Sequence, residues 1–349
     1  MIRYVFFLLS LLFLSACVTQ SYEVQSVCEV TDVYNYVVKW EVSPRIEGEV
    51  EIFSSADPEK FDLRKPVGKE LISKGRADIV IKGSLSRCYF LLIFPDNVRT
   101  IVGVRCQKFP TVENFRDVGG YVNADYHTLK WGRLYRSGKL DSISDIDAKR
   151  IAKMRVKTII DLRSVVVNPH LSTTAGIKNQ FHFPVIAQRS NPLPRVYRQQ
   201  FKRGDAIVFM QDVFRDMVLM NKESFRRMFD VLLEEKNYPV ILSCRYGNIQ
   251  SSIATALVLG ALDIPEQVII EDYLLSNKYF NMRAVAAQAM TLPLESQDAI
   301  TSMMVSDERY LNSALELIKR KYGSIKEFLH IELGVDENDC NRLKAILLE

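Results

Sequence analysis

The chain has 349 residues, of which 48% are hydrophobic and 25% are charged, and its formal net charge is +4. This composition excludes a disordered or fibrous protein, and the length suits two globular domains. The small net charge is spread along the chain without a basic block, so the composition argues against a nucleic-acid-binding protein.

The first 16 residues are typical of a targeting segment. Arg3 precedes an apolar run at residues 5–14, which is too short to span a bilayer as a mature helix. Residues 14–17 read Leu-Ser-Ala-Cys, and small residues before a cysteine resemble a bacterial lipobox. We expect a lipoprotein signal peptide at residues 1–16, lipidation of Cys17 and an exported, membrane-anchored protein of the cell envelope. A plain secretory signal is the alternative.

Residues 17–108 are predicted to form a small all-β domain. The runs with strand character lie at residues 36–42, 48–53, 77–81, 87–94 and 100–106, with turn residues between them. This spacing favours an immunoglobulin- or fibronectin-like β-sandwich. An irregular all-β extension of the following domain is the alternative.

The six cysteines are Cys17, Cys28, Cys88, Cys106, Cys244 and Cys340. Export permits disulfides, but Cys28, Cys88 and Cys106 allow at most one bridge among themselves, and the spacing does not identify it. The four histidines are scattered, and no cluster has the spacing of metal ligands. We therefore expect no metal and no other cofactor.

From about residue 109 the pattern changes to strands that alternate with helices. Residues 145–154 are predicted to be helical, residues 156–162 a buried strand and residues 211–235 one long amphipathic helix. Residues 266–349 are predicted to be helical, with helix ends at Gly323 and Gly334 and an N-cap at Asp336. Residues 109–349 are therefore predicted to be an α/β domain with a mainly parallel sheet, helices on both faces and a helical tail.

Residues 239–253, Pro-Val-Ile-Leu-Ser-Cys-Arg-Tyr-Gly-Asn-Ile-Gln-Ser-Ser-Ile, are the most informative segment. An apolar strand ends at Cys244, a short loop contains Gly247, and an apolar helix follows. A cysteine on such a turn lies where a helix N-terminus stabilises both a thiolate and a bound phosphate.

Four segments of the second domain carry further motifs. These segments are residues 114–121 (Asn-Phe-Arg-Asp-Val-Gly-Gly-Tyr), 131–138 (Trp-Gly-Arg-Leu-Tyr-Arg-Ser-Gly), 158–164 (Thr-Ile-Ile-Asp-Leu-Arg-Ser), and the cysteine loop followed by 271–277 (Glu-Asp-Tyr-Leu-Leu-Ser-Asn). Together they resemble the motifs of bacterial tyrosine/serine (dual-specificity, lipid-phosphatase-like) cysteine phosphatases, and the leader and β-domain resemble the lipoprotein branch of that family. The resemblance implies a tyrosine-phosphatase-like fold and phosphomonoester hydrolysis through a phosphocysteine at Cys244. The phosphate-binding loop would comprise Arg245, Tyr246, Gly247, Asn248, Ile249 and Gln250.

The loop departs from the family pattern His-Cys-x-x-Gly-Lys-Asp-Arg-Thr-Gly. The replacements are Ser243 for histidine, Asn248 for lysine, Ile249 for aspartate, Gln250 for arginine, Ser251 for threonine and Ser252 for glycine. The acidic residue that often follows the third motif is also missing from residues 165–168. Gln250 can donate a hydrogen bond, but it cannot neutralise a phosphate dianion.

Three hypotheses follow from these departures. The protein is an impaired phosphatase, a catalytically inactive pseudophosphatase that binds phosphate or phosphopeptides, or a structural interaction protein without a ligand. The partners expected under the first two are a phosphorylated protein or a small phosphoester.

Roles near the loop are also open. Arg245 either substitutes for the missing charge or points to solvent, and Cys244 itself could be only a small buried residue. The charged motif residues either help to shape the pocket or form a structural ion-pair network that ties the strands together, and these residues are Arg116, Asp117, Asp161 and Arg163. Asp272, Tyr273 and Asn277 are predicted to pack the loop from behind.

Overall fold

The computed structural model of the protein describes residues 22–32, 35–81, 87–141, 143–165, 176–189, 191–282 and 287–349. Cys17, the predicted signal peptide and residues 166–168 lie outside these ranges. Across the described ranges, no helix combines the length and the apolar character that a membrane crossing requires.

The strands in the described ranges are β1 (Glu23–Asp32), β2 (Asn35–Ser43), β3 (Glu49–Ser55), β4 (Gly68–Leu71), β5 (Arg76–Val80), β6 (Tyr89–Ile93), β7 (Arg99–Gly103), β8 (Arg116–Asp117), β9 (Leu134–Ser137), β10 (Thr158–Asp161), β11 (Asn179–His182) and β12 (Val240–Ser243). The α-helices are α1 (Asp145–Lys153), α2 (Leu193–Tyr197), α3 (Arg203–Met220), α4 (Lys222–Leu232), α5 (Gln250–Ala261), α6 (Glu266–Leu274), α7 (Ser276–Tyr279), α8 (Leu294–Met304), α9 (Glu308–Tyr322), α10 (Ile325–Phe328) and α11 (Glu337–Leu347). A π-helix, Leu329–Leu333, separates the last two.

The N-terminal part contains two antiparallel sheets, with strand orders β1-β2-β5 and β4-β3-β6-β7. Alternation in β2 directs Val38 and Trp40 inward, where they share one core with Ile52 and Phe90 of the other sheet. The predicted all-β region is therefore confirmed, with two sheets packed face to face. Cys28, Cys88 and Cys106 are free thiols, and the first two are buried.

The second part contains one five-stranded sheet of order β11-β10-β12-β9-β8, in which only β8 runs antiparallel to its neighbour. Tyr135 and Ile241 pack toward α1 on one face, whereas Leu134 and Leu242 join the large core with α3 to α6 on the other. The predicted mainly parallel sheet with helices on both faces is confirmed.

One predicted element is wrong. Residues 211–235 do not form a single helix, because the chain breaks at Asn221, between α3 and α4. The Asn221 side chain accepts from the N–H of Ile186 and donates to the carbonyls of Ile186 and Met217, each at 2.8 Å. These bonds fix Asn221 to a distant loop and stop the helix, although the apolar pattern continues through it.

The predicted ends in the helical tail are confirmed. Helix α9 ends at Tyr322 before Gly323, which has a φ of 87°, and the π-helix ends before Gly334, which has a φ of 68°. Asp336 caps α11 by accepting from the N–H of Asp339 at 2.9 Å. The side-chain carboxylate of Asp339 accepts in turn from the N–H of Asp336, and the two bonds together form a capping box.

The two parts of the chain share buried contacts. Trp131, from the second part, packs into the core of the β-sheets and donates to the carbonyl of Ile101 at 2.8 Å. Arg87, from the first part, forms a 2.7 Å ion pair with Asp117, and both side chains are almost fully buried. The division into residues 17–108 and 109–349 stays a prediction. The two parts nevertheless bury side chains against each other.

Candidate active site

Cys244 follows directly after β12, at the carboxyl edge of the parallel sheet. All four residues of β12 are buried, and β12 lies between β9 and β10, which run in the same direction. The N–H of Cys244 donates to the carbonyl of Ser137 at the end of β9, at 3.3 Å. Ligands of open α/β sheets bind at this edge, where the strands end, so the sheet places Cys244 at a binding position.

The loop from Arg245 to Ile249 connects Cys244 to α5 and keeps its backbone donors free. No backbone N–H of residues 245–249 donates a hydrogen bond to another described residue. Gly247 adopts a φ of +71°, and a Cβ at this position would lie 2.8 Å from the carbonyl carbon of Ser137. Only glycine fits this backbone, which is why it is retained here.

The carbonyl groups of the loop are held from behind. The carbonyl of Arg245 accepts from the N–H of Lys139 at 3.2 Å. The side-chain amide of Asn114 donates to the carbonyls of Tyr246 and Gly247, at 3.2 and 2.8 Å. Because C=O and N–H point in opposite directions across a trans peptide, anchoring these carbonyls turns the following N–H groups outward. A row of outward N–H groups before a helix is a cradle for an oxyanion.

A fully buried ion cluster supports this cradle. Asp272 of α6 pairs with Arg136 at 2.6 Å and with Arg116 at 3.2 Å. Arg136 also donates to the carbonyl of Gly247 at 2.8 Å and to the hydroxyl of Ser252. Burial alone would raise the pKa of Asp272, but Arg116 and Arg136 outweigh it and hold that pKa well below its usual range.

The same surroundings disfavour the charge on Arg136. Burial first, and the neighbouring Arg116 second, lower the pKa of Arg136 to about 10. Its Nε is buried and has no hydrogen-bond partner among the described residues. Arg136 is therefore a cation that its surroundings compensate only in part.

The side chains around Cys244 are mostly uncharged. The thiol lies 3.3 Å from the hydroxyl of Ser251, whereas the hydroxyl of Ser243 donates to the carbonyl of Gly138 at 2.9 Å. Gln250 makes no side-chain hydrogen bond to the described residues, and Ile249 packs against the large core. No side chain on β12 or in the loop contributes a charge next to the thiol.

The side chains of Arg245, Tyr246 and Asn248 either lie on the surface or bind neighbouring segments and so hold the loop in place. Arg245 is exposed and lies over the ring of Tyr246, with its guanidinium carbon 5.2 Å from the ring centroid. Tyr246 in turn contacts Phe280. Asn248 is buried and donates to the carbonyl of Met304 at 3.1 Å. Arg245 is thus placed on the surface, as its solvent-facing interpretation predicts.

The third motif supplies a salt bridge near the site. Arg163 binds Asp161 at 2.6 Å and Asp141 at 2.9 Å. Burial would raise the pKa of Asp141, but the hydrogen bond from Arg163 keeps it below its usual value. Asp141 is therefore ionised at neutral pH and unsuited to donating a proton.

The predicted structural network is present, and it contains residues to which the sequence assigned no role. Arg116, Asp117, Asp161 and Arg163 all form ion pairs, and Asn277 binds the loop at Ser306 rather than the cradle. Asn114, Arg136 and Ser251 support the site directly, and membership of the motifs was their only sequence signal. Among the described residues, no group of histidine, cysteine and acidic side chains could hold a metal ion.

A cysteine at the sheet edge, followed by a cradle of backbone donors and a helix, defines a cysteine-phosphatase type of site. The model of the tyrosine phosphatase family matches residues 107–349, and the chain belongs to that family.

Two relatives found by sequence bear names that agree with this assignment. The chain is 28% identical over 238 residues to a Cupriavidus necator protein that bears the name tyrosine-protein phosphatase, a match that covers 65% of this chain and 84% of the relative. It is 25% identical over 279 residues to the triple specificity protein phosphatase PtpB of Mycobacterium tuberculosis, a match that covers 69% of this chain and 99% of the relative. Among solved structures, the catalytic domain of a PP-IP phosphatase from S. cerevisiae is similar at 12% identity, with a TM-score of 0.28, over 59% of this chain and 92% of that one.

Proposed function

We propose that the protein binds phosphomonoester groups in the cradle at residues 245–250 and hydrolyses them only slowly through Cys244. The observation that carries this proposal is the loop backbone, whose carbonyls are anchored behind the site while its N–H groups remain free. Such a backbone supplies anion binding whatever the side chains are.

The side chains argue for slow turnover. A bidentate arginine stabilises the charge of the transition state, and removing one such donor typically lowers a rate about a hundredfold to a thousandfold. Gln250 stands at this position and Ile249 at that of the loop acid, so both contributions are missing. Asp141 is already paired with Arg163, so it offers no substitute acid.

The ligand class follows from the family. The two relatives found by sequence, from Cupriavidus necator and Mycobacterium tuberculosis, bear the names of protein phosphatases, which favours a phosphorylated protein as the ligand, with a small phosphoester as the alternative. The chemistry recognised is the same in both cases, a phosphate monoester whose oxygens accept several backbone hydrogen bonds.

Binding is tested by calorimetry with phosphotyrosine and with inorganic phosphate on the Cys244→Ser variant, which prevents turnover. We expect saturable binding of both ligands, and its loss in Gly247→Ala, because the added Cβ collides with β9. Gly323→Ala is the matched control, since Gly323 also has a positive φ but has open space around it. Absence of binding to the Cys244→Ser protein, or equal binding by the Gly247→Ala protein, would overturn the proposal.

We also propose that the protein is a lipoprotein held at a membrane surface of the cell envelope by lipid on Cys17. The support is the sequence at residues 14–17. Cys17→Ala is expected to move the protein from the membrane fraction to the soluble fraction, or to leave the leader uncleaved, because one lipidated thiol supplies the attachment. Fractionation and mass spectrometry of the N-terminus provide the measurement. A soluble wild-type protein that retains residues 1–16 would contradict the anchor.

A further inference from the structure

We infer that Arg136 supplies, from beneath the cradle and through Ser251, the positive charge that favours the thiolate of Cys244. This inference rests on the proposed function, because it concerns the same site. It gives a role to a residue outside the loop, in a protein whose loop has no cation except the exposed Arg245.

The strand register places Arg136 on the same side of the sheet as Cys244. Leu242 pairs with Arg136 in the parallel ladder of β12 and β9. Since side chains alternate along a strand, residues 242 and 244 point to the same face as residue 136. Leu242 and Cys244 indeed share one core cluster.

A path of two polar contacts joins the two groups. Arg136 Nη2 lies 3.5 Å from the hydroxyl of Ser251, and that hydroxyl lies 3.3 Å from the sulfur of Cys244. The closer bonds of Nη2 go to Gly247 and Ser252, so it meets Ser251 mainly as a positive charge. Ser251 can donate its single proton to a thiolate while its oxygen faces this charge. This arrangement orients the hydroxyl toward the ionised form of the cysteine.

The charges beneath the loop do not cancel. Arg116 and Arg136 share the single carboxylate of Asp272, and all three side chains are at most 1% exposed. Another buried acid, Asp117, is paired with Arg87. The cluster therefore carries one excess positive charge, which a thiolate on Cys244 or an oxyanion in the cradle would compensate.

The other charged groups that the described residues place near the loop are Arg245, Lys139, Asp141, Asp161 and Arg163, besides Arg116 and Asp272 of the cluster itself. Asp141 and Asp161 are paired with Arg163, and Lys139 and Arg245 are exposed. Of the two arginines of the cluster, Arg136 is the one whose guanidinium contacts the Ser251 hydroxyl beside the thiol, and its Nε has no hydrogen-bond partner among the described residues.

The test measures the alkylation rate of Cys244 by iodoacetamide between pH 5 and pH 8, with peptide mass spectrometry to separate it from the other cysteines. Arg136→Met is expected to lower the rate at pH 6 about tenfold, because the variant removes a buried positive charge that stabilises the reactive thiolate. Arg136→Lys should recover part of the loss, because it retains the charge. Arg150→Met, which removes an arginine of α1 on the opposite face of the sheet, is the control and should leave the rate unchanged.

Two further variants separate charge from structure. Asp272→Asn raises the excess charge of the cluster and is expected to increase the alkylation rate at pH 6, although it removes an ion pair. Ser251→Ala should lower the rate without changing any buried charge. If Arg136→Met and Asp272→Asn change the rate in the same direction in folded protein, Arg136 has only a structural role and the inference is wrong.

Binding of phosphate in the same samples distinguishes the inference from the proposed function. Saturating inorganic phosphate should protect Cys244 of the wild-type protein from alkylation. Protection combined with an unchanged rate in folded Arg136→Met would overturn the inference and leave the proposed function standing. If the alkylation rate depends on Arg136 but phosphate does not protect Cys244, the inference is supported and the proposed phosphate binding at residues 245–250 is wrong.

Discussion

An Ile249→Asp/Gln250→Arg double variant is expected to hydrolyse an aryl phosphate about a thousandfold faster than the wild-type protein. The two substitutions restore a loop acid and a bidentate phosphate clamp beside a cradle that the backbone has kept. Both positions are only partly buried, and the substitution at Gln250 breaks no side-chain hydrogen bond to a described residue. The measurement is steady-state turnover of para-nitrophenyl phosphate.

Two matched proteins control this experiment. The same double substitution in Cys244→Ser should be inactive, because the nucleophile is absent. Gln250→Arg alone should gain much less than the double variant, since acid, clamp and nucleophile act as a unit. A double variant as slow as the wild-type protein would show that the pocket no longer positions a substrate. Fast, Cys244-dependent turnover by the wild-type protein would refute slow hydrolysis.

Ser243 and Asn248 are deliberately left unchanged. Both side chains are buried, and each holds a loop contact, to the carbonyls of Gly138 and Met304 respectively. A larger charged side chain at either position would break that contact and desolvate its own charge. The structure therefore separates two positions where charge can be restored from two where restoration would damage the cradle.

The position of the site could be predicted from the sequence because its determinants are local. An apolar run of three residues before Ser243 and Cys244, then a loop glycine and an apolar helix, indicate a strand, a turn and a helix within about 25 residues. The parallel sheet follows from the alternation of such units. Neither inference needs knowledge of distant contacts.

The break at Asn221 and the charge beneath the loop could not be predicted in this way. Asn221 ends α3 through bonds to Ile186, 35 residues earlier, and the local apolar pattern carries no trace of them. Likewise, Arg116 and Arg136 meet Asp272 only after more than 130 residues of intervening chain. Their excess charge appears only when the three are brought together.

The contact between the two parts of the chain, on either side of residue 109, is another feature that the sequence pattern could not predict. The change of pattern predicts two domains, but it does not show that each part contributes a side chain to the interior of the other. Trp131 reaches into the β-sheet core, and Arg87 reaches the carboxylate of Asp117. The two parts are therefore expected to unfold together in a single transition.

Asp117→Asn is accordingly expected to lower the free energy of unfolding by about 3–5 kcal/mol, because it leaves the buried Arg87 without its counter-charge. Asp117 also accepts from the N–H of Gly119 and of Gly132, each at 2.7 Å, and an asparagine can replace only one of these acceptors. Urea unfolding followed by far-ultraviolet circular dichroism and by tryptophan fluorescence gives the measurement. Trp40 and Trp131, the two tryptophans, both lie in the β-sheet core, so fluorescence reports on that part.

A double-mutant cycle with Arg87→Met isolates the ion pair. The double variant should be less destabilised than the sum of the single variants, because removing both partners leaves no unpaired buried charge. Arg87 also lies over the rings of Tyr89 and Trp131, and methionine keeps part of this packing. A loss below about 1 kcal/mol in Asp117→Asn, the level of an exposed pair, would mean that water reaches the carboxylate. Fluorescence and dichroism transitions that separate in the wild-type protein would show that the two parts unfold independently despite this contact.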